Sequence, residues 1–329
     1  MDLQTQQRWQ QELAEALAAG EIPGLPPPQE VRQTHLSRVF LGPERVYKLK
    51  RPLRYSYLDY SSPAARRRCC LAELHLNRRL ARRVYREVLE VSLPGRSPRR
   101  PSEHLVVMER LPDARSLDRL LAAGALGHRE LEHIGARLAA FHRDLPPVLD
   151  SDHGQLGHWL AAIAEQRGAL AAPRYGMAAD LVERLTAELA RLARSLEPVL
   201  AQRMAAGRIV DGHGDLRPEH VYLVPEPVII DCLEFSRRLR LGDGAEELAF
   251  LTMECRRQGG PAAAQALEQA WQWHAGERPD PALMRFYRAF RALLWAKLAL
   301  WHLDREAADP GHWQRRAGGY LDIVAAELG

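Results

Sequence analysis

The stretch HGDLRPEH, His213 to His220, is followed after a short apolar run by VIIDCLEF, Val228 to Phe235. Residues 221–224 and 228–231, reversed at Pro225-Glu226-Pro227, read as a β-hairpin. That hairpin is expected to return Asp231 to the neighbourhood of the tight Gly214 turn that carries Asp215. Two carboxylates so placed suit phosphoryl transfer: one orients and deprotonates an attacking hydroxyl, while the other holds the Mg²⁺ that bridges nucleotide phosphates. Without a cation between them they would repel. His-Gly-Asp alone is too common to mean much, so its weight depends on what lies upstream.

Only three of the 46 basic residues are lysines, and two of them, Lys48 and Lys50, share one short strand-like run, RVYKLK (45–50). Period-two alternation puts Val46, Lys48 and Lys50 on one face and Tyr47 and Leu49 on the other. Downstream, Ser62 and Pro63 supply an N-cap and first position for a helix running through RRRCCLAELHLNRRLARR. At 100° per residue its apolar side holds Cys69, Cys70, Glu73, Leu74, Leu76, Leu80 and Ala81. A carboxylate inside that stripe needs a partner, because an unpaired buried charge costs several kcal/mol or takes up a proton. Lys48 or Lys50 is the candidate; a local arginine at the stripe's edge is the alternative.

The rest of the chain divides by character. A helix at 4–19 ends at Gly20 and the connection IPGLPPP; β-rich runs at 31–41 and 45–50 are joined by Gly42-Pro43-Glu44. EVLEVSL and HLVVMERL are strand-like runs separated by PGRSPRRPS, and from Leu117 onward the pattern is helical except at 208–231. The expectation is an α+β, two-lobed chain: a small β-rich lobe at 1–111 and a larger, mainly helical lobe at 112–329, the latter carrying the loop 213–220 and the strand 228–235.

Composition excludes several classes. With 46% apolar and 27% charged residues among 329, the chain suits large cores rather than disorder. No apolar run approaches the roughly eighteen residues of a membrane span, and the polar N-terminus does not read as a signal peptide. A net charge of +4 is spread along the chain without interleaved aromatics, which argues against nucleic acid. Cys69, Cys70, Cys232 and Cys255 form no CxxC pair and read as reduced thiols. A cytoplasmic protein is expected.

Taken together, THLSRVFL (34–41), VYKLKRP (46–52), LDYS (58–61), ELHLNRRL (73–80), HGDLRPEHVYL (213–223) and IDCLEF (230–235) resemble the aminoglycoside-phosphotransferase-like family of the protein-kinase-like fold, in its bacterial HGDLxPEH / IDCxEF subgroup. The likeness covers about residues 30–255. It implies an ATP- and Mg²⁺-dependent kinase acting on a hydroxyl of a sugar, amino alcohol or related metabolite. Asp215 would be the catalytic base and Asp231 the principal metal ligand. Lys48 would contact the α and β phosphates and pair with Glu73. Met108 would sit behind the adenine, with the Glu109 carbonyl and Leu111 amide at its edge.

The sequence departs from the family pattern twice. His220 stands where the family usually has a metal-holding asparagine, and magnesium prefers oxygen ligands; Glu234 or water would then complete a second metal position. No GxGxxG precedes Lys48, so Ser37 is the expected phosphate contact. These departures keep open a nucleotide-binding module without phosphotransfer. A protein kinase fits less well, lacking an APE-like segment and a long activation segment after Asp231.

Other residues read structurally. His213, His220 and Asp215 are explained by the resemblance rather than by zinc. Asp243 and Glu246 read as a capping box, and Glu247 as a brace for the catalytic loop. Arg78, Arg82 and Arg86 read as a solvated helix stripe. Trp271, Trp273, Trp295, Trp301 and Trp313 are expected in the core. The acceptor and the oligomeric state are not legible.

Overall fold

The computed structural model describes residues 2–55, 57–93, 102–304 and 309–329. The chain divides into two compact units, Met1–Leu120 with Glu219–Leu239 and Leu121–Pro218 with Arg240–Gly329.

The first unit begins with α1 (Leu3–Ala19), whose N-cap Asp2 accepts from the Thr5 amide at 2.8 Å and whose C-cap Gly20 takes the left-handed φ of 72°. Its sheet contains β1 (Glu30–Gln33), β2 (Ser37–Leu41), β3 (Arg45–Lys50), β6 (Tyr85–Val91) and β7 (Glu103–Glu109), antiparallel throughout in the order β1-β2-β3-β7-β6. A short hairpin, β4 (Arg54–Tyr55) and β5 (Leu58–Asp59), precedes α2 (Pro63–Ala81). The β3 alternation holds as expected: Tyr47 and Leu49 pack with Trp9, Leu13 and Leu17 of α1, while Val46 packs with Met108 and with Cys70 and Ala81 of α2. Lys48 and Lys50 therefore face α2.

Three local expectations need adjustment. The run 31–41 is two strands, because Thr34 turns the chain: its amide donates to the Ser37 carbonyl at 2.8 Å, and the Ser37 amide donates to Thr34 Oγ1 at 3.0 Å. Arg86 is not on a helix; α2 stops at Ala81 and Arg86 lies in β6, where it pairs with Glu109 at 2.6 Å. The turn expected across PGRSPRRPS falls at 94–101, outside the described residues.

The hairpin β9 (Val221–Leu223) and β10 (Pro227–Ile229) forms in register Val221↔Ile229. It groups with the first unit, although a boundary at 111 assigns it to the helical part. Val228 and Ile230 pack on the apolar cluster between α2 and the sheet, which gives these residues more in common with the β-rich unit.

The chain passes through α3 (Leu117–Ala122) into the second unit, which contains α4 (His128–Asp144), α5 (Leu156–Leu170), α6 (Ala179–Ser195), α7 (Glu197–Ala205), α8 (Gly244–Arg257), α9 (Pro261–Ala275), α10 (Pro281–Leu300) and α11 (Pro310–Leu328). A two-strand ladder pairs β8 (Ile209–Asp211) with β11 (Leu241–Asp243) and flanks the segment 212–240. α8 is buried from Gly244 to Cys255, and Trp159 anchors an aromatic core with Phe286, Tyr287 and Phe290. Of the five late tryptophans, only Trp271 is buried. Trp273 is 81% exposed, because two residues around an α-helix turn it by about 200° away from the Leu267, Ala270 and Trp271 stripe. Trp295, Trp301 and Trp313 are half-buried.

Candidate functional site

In the first unit, the β3 lysines and the α2 carboxylate meet within the core. Lys48 Nζ lies 2.9 Å from Glu73 Oε1 and 2.6 Å from Asp231 Oδ1; Lys50 Nζ lies 2.5 Å from Glu73 Oε2 and also bonds Glu234. Tyr60 donates its hydroxyl to the same Glu234 oxygen. The result is an alternating row, Asp231, Lys48, Glu73, Lys50, Glu234, with each ammonium between two carboxylates. The Glu73 side chain is fully buried, whereas that of Asp231 is 44% exposed. The row runs from solvent into the core.

Pairing decides the ionisation of this row. Burial alone would lower the Lys48 ammonium, but the charges of Asp231 and Glu73 outweigh it and hold its pKa well above the ordinary value. Lys50 is likewise lowered by burial and raised further by Glu234 and Glu73. Burial raises Glu234, yet Lys50 and Lys48 bring it below the usual carboxylate value. Burial first, then Glu234, pushes Tyr60 up against the opposing charge of Lys50, so its hydroxyl stays a donor.

The backbone that presents Asp231 is equally constrained. Among the described residues Asp231 is the one non-glycine with positive φ, at 61°. Aspartate tolerates this region better than most residues, at a cost of about 1–3 kcal/mol. Its amide donates to Tyr85 Oη at 3.1 Å, and the next amide, that of Cys232, donates to Asn77 Oδ1 at 2.9 Å. Asn77 in turn donates to the Glu73 carbonyl at 2.9 Å, so one helix turn of α2 fixes both the carboxylate and the segment beyond Asp231. His220, 6% exposed, places Nε2 3.7 Å from Asp231 Oδ2.

The remaining expected nucleotide residues take separate places on this unit. Met108 is buried in the β7 row with Val46 and Val106, and Leu111 packs on the same cluster. The Glu109 amide donates to the Val84 carbonyl at 2.8 Å. Ser37 is 1% exposed, with its amide and carbonyl both bonded to Thr34.

Asp215 belongs to the second unit, where the loop is built around Glu247 of α8. Glu247 accepts from the His213 amide at 2.6 Å and the Gly214 amide at 2.7 Å, and pairs with His142 Nε2 at 2.9 Å. Trp271 Nε1 donates to His142 Nδ1 at 3.1 Å, which leaves the ring proton on Nε2 to face Glu247. Burial would raise the Glu247 carboxyl. The hydrogen bond and positive potential from His142, then His213 and the Gly214 amide, outweigh it and hold it at about 2. The loop also needs glycine: a Cβ on Gly212 would stand 2.6 Å from Glu247 Oε1, and Gly214 has φ 85°.

Asp215 itself is part-exposed. Its amide donates to His213 Nδ1 at 3.3 Å and its Oδ2 lies 3.2 Å from Arg217, whose guanidinium sits 4.8 Å from the Trp295 ring centre. His213 thus holds the loop by hydrogen bonding. Asp243 caps α8 by accepting from the Ala245 amide at 2.8 Å, but the capping box is half-formed, because Glu246 turns instead to Arg291 at 2.8 Å.

The sequence led to the expectation of a Lys48–Glu73 pair, of Asp231 beside the turn carrying Asp215, and of Glu247 as a brace; the contact of Asp231 with Lys48 at 2.6 Å was not expected. It missed Tyr60, Asn77 and Tyr85, and it offered Lys50 only as an alternative partner and Glu234 only as a metal neighbour. Lys50, Tyr60, Asn77 and Glu234 sit inside the motifs VYKLKRP, LDYS, ELHLNRRL and IDCLEF, which was the available signal. Nothing in the sequence singled out His142.

This fold, an antiparallel sheet with one helix followed by a larger helical unit, is the protein-kinase-like one. It is shared by a choline/ethanolamine kinase family protein from Mesorhizobium loti, with a TM-score of 0.56 at 18% identity over 97% of this chain and 95% of that one. Choline kinase from Cryptosporidium parvum Iowa II gives a TM-score of 0.57 at 10% identity over 96% and 95% of the two chains. Residues 59–290 match the model of the phosphotransferase enzyme family, and the chain belongs to that family. An uncharacterized protein of Mycobacterium tuberculosis (strain ATCC 25618 / H37Rv) is 31% identical over 275 residues, covering 82% of this chain. The chain spans 54% of that relative's length, and an uncharacterized protein of Mycobacterium bovis matches equally. Among the described residues, no helix is long and apolar enough to cross a membrane.

Proposed function

We propose that this phosphotransferase is an ATP-dependent small-molecule kinase that phosphorylates a hydroxyl of a sugar, amino alcohol or related metabolite. The observation that carries this reading is Lys48, held between buried Glu73 and part-exposed Asp231. A lysine so fixed can turn from a carboxylate to phosphate oxygens without losing its position. Met108 would back the adenine, the Glu109 carbonyl and Leu111 amide would meet its edge, and Ser37 would reach a phosphate through its hydroxyl, since its amide is bonded to Thr34.

Asp231 offers the hard oxygen donor that magnesium requires, on a side chain 44% exposed, whereas His220 beside it presents a nitrogen. Asp231 would hold the ion and His220 would orient the carboxylate. Magnesium, when bound, would supply charge neutralisation of the phosphates. Asp215 would take the proton of the acceptor hydroxyl as its oxygen attacks the γ-phosphorus and the bond to the departing ADP breaks. Glu247 would keep the Asp215 loop in place without touching substrate. The acceptor is a small molecule in this reading, as the names of the choline and ethanolamine kinases of like fold suggest. The four cysteine thiols accord with a reducing, cytoplasmic setting.

A nucleotide-binding module without transfer is the second reading, favoured by the His220 imidazole in the place of an oxygen ligand. A panel of hydroxyl metabolites incubated with protein, ATP and Mg²⁺, scored by mass spectrometry for a gain of phosphate, separates the two. The kinase reading expects at least one product that Asp215→Ala fails to make. ATP binding by both proteins with no product across a broad panel contradicts it.

A further inference from the structure

Away from the residues discussed above, the second unit carries a cluster of zinc-type ligands at the entrance to α5. Asp152, His153 and His158 each bring one donor atom into a group whose members all lie within 4.8 Å of one another. Asp152 Oδ1 is 3.6 Å from His153 Nδ1, and Asp152 Oδ2 is 3.2 Å from His158 Nδ1. Zinc bonds of about 2.0–2.1 Å in a tetrahedron separate its ligands by about 3.4 Å. The two carboxylate–imidazole separations, each to a different oxygen of Asp152, lie close to that value. The donor atoms of the two imidazoles lie within 4.8 Å of one another.

The donors rest on a buried tryptophan. Trp159, 1% exposed, sets its ring edge-on to both imidazoles, at centroid distances of 5.9 Å to His153 and 5.4 Å to His158, and donates Nε1–H to the His153 carbonyl at 2.7 Å. The rings of His153 and His158 lie 4.3 Å apart. Ser151 fixes the start of the turn through its hydroxyl oxygen, which accepts from the His153 amide at 3.2 Å and lies 3.0 Å from His153 Nδ1, a contact that a metal ion on that nitrogen would replace. His153 is buried at 8%, while the Asp152 side chain is 49% exposed, so a bound ion would keep an outward position for water.

We propose that Asp152, His153 and His158 form a binding site for one divalent transition-metal ion of zinc type, tying the turn 152–154 to the first turn of α5. Two imidazoles and one carboxylate favour zinc over magnesium, which the oxygen-only preference of the latter would reject. The site is independent of the kinase reading.

The test is a zinc titration of the full chain, stripped beforehand with chelator, read by competition with a chromogenic chelator. One equivalent should bind. His158→Gln, on a side chain 15% exposed, should weaken affinity on the order of 100-fold, and Asp152→Asn by at least about tenfold. Circular dichroism of the two variants should match the wild type. Cobalt should give the ligand-field bands of a tetrahedral site in the wild type, and these should vanish in His158→Gln; this readout does not depend on stability. No zinc bound by the wild type at micromolar concentration, or affinity unchanged in both variants, overturns the proposal.

Discussion

Each unit buries a glutamate, but balances it by different means. Glu73 sits between two lysines, and its charge is balanced by charge. Glu247 is held by His142 and by two backbone amides, partners fixed in place by packing and by the loop itself. Long, paired side chains can exchange partners: Lys48 already divides itself between Glu73 and Asp231. Backbone amides cannot. The first arrangement therefore suits a place where phosphate charge arrives and leaves, and the second suits a loop whose shape has to stay constant.

The most severe way to break this contrast is to remove the group that the second arrangement holds. Asp215→Asn is expected to lower phosphoryl transfer by roughly 10³-fold, within the range typical of a lost general base, while ATP affinity stays within about twofold. Steady-state rates beside calorimetric ATP binding check both halves. Glu73→Gln comes next, because it leaves two buried ammonium groups sharing fewer carboxylates; a loss of about 3–5 kcal/mol in urea unfolding is expected.

Glu247→Gln sharpens the comparison through pH. The folded carboxyl sits at about 2 against an ordinary 4.5, so its contribution is fully present above pH 4.5 and is lost as pH falls from there toward 2. The shift corresponds to about 3 kcal/mol. Wild-type and Glu247→Gln unfolding free energies should differ by about that amount at neutral pH and converge in acid. A difference that does not change with pH would mean that the carboxylate's charge is not what braces the loop. The smallest effect is expected at Trp273, which is 81% exposed: Trp273→Ser should change stability by less than about 0.5 kcal/mol.

The sequence revealed most where one period governs. Alternation in RVYKLK placed Lys48 and Lys50 on a single face, the 3.6-residue repeat placed Glu73 inside the α2 stripe, and their meeting followed from charge. The same repeat, applied to α9, places Trp273 opposite Trp271; treating the late tryptophans as one group ignored it. Partners far apart in the chain were harder to see. Glu234 reaches Lys50 across 184 residues, and Tyr60 reaches Glu234 across 174, separations over which no helical or strand period carries information. His142 was invisible for the same reason: it lies 105 residues before Glu247 and belongs to no motif. The hairpin at 221–229 was legible, whereas its grouping with the β-rich unit depends on the packing of Val228 and Ile230, which pattern alone does not specify.

The proposed function divides labour between two carboxylates: Asp231 would serve the nucleotide and Asp215 the acceptor. Calorimetric titration of Mg·ATP into Asp231→Asn and Asp215→Asn, beside the wild type, tests it most directly. The prediction is that Asp231→Asn binds at least about tenfold more weakly and no longer responds to magnesium, while Asp215→Asn binds as the wild type does. Equal loss in both variants, or wild-type affinity in Asp231→Asn, would contradict it.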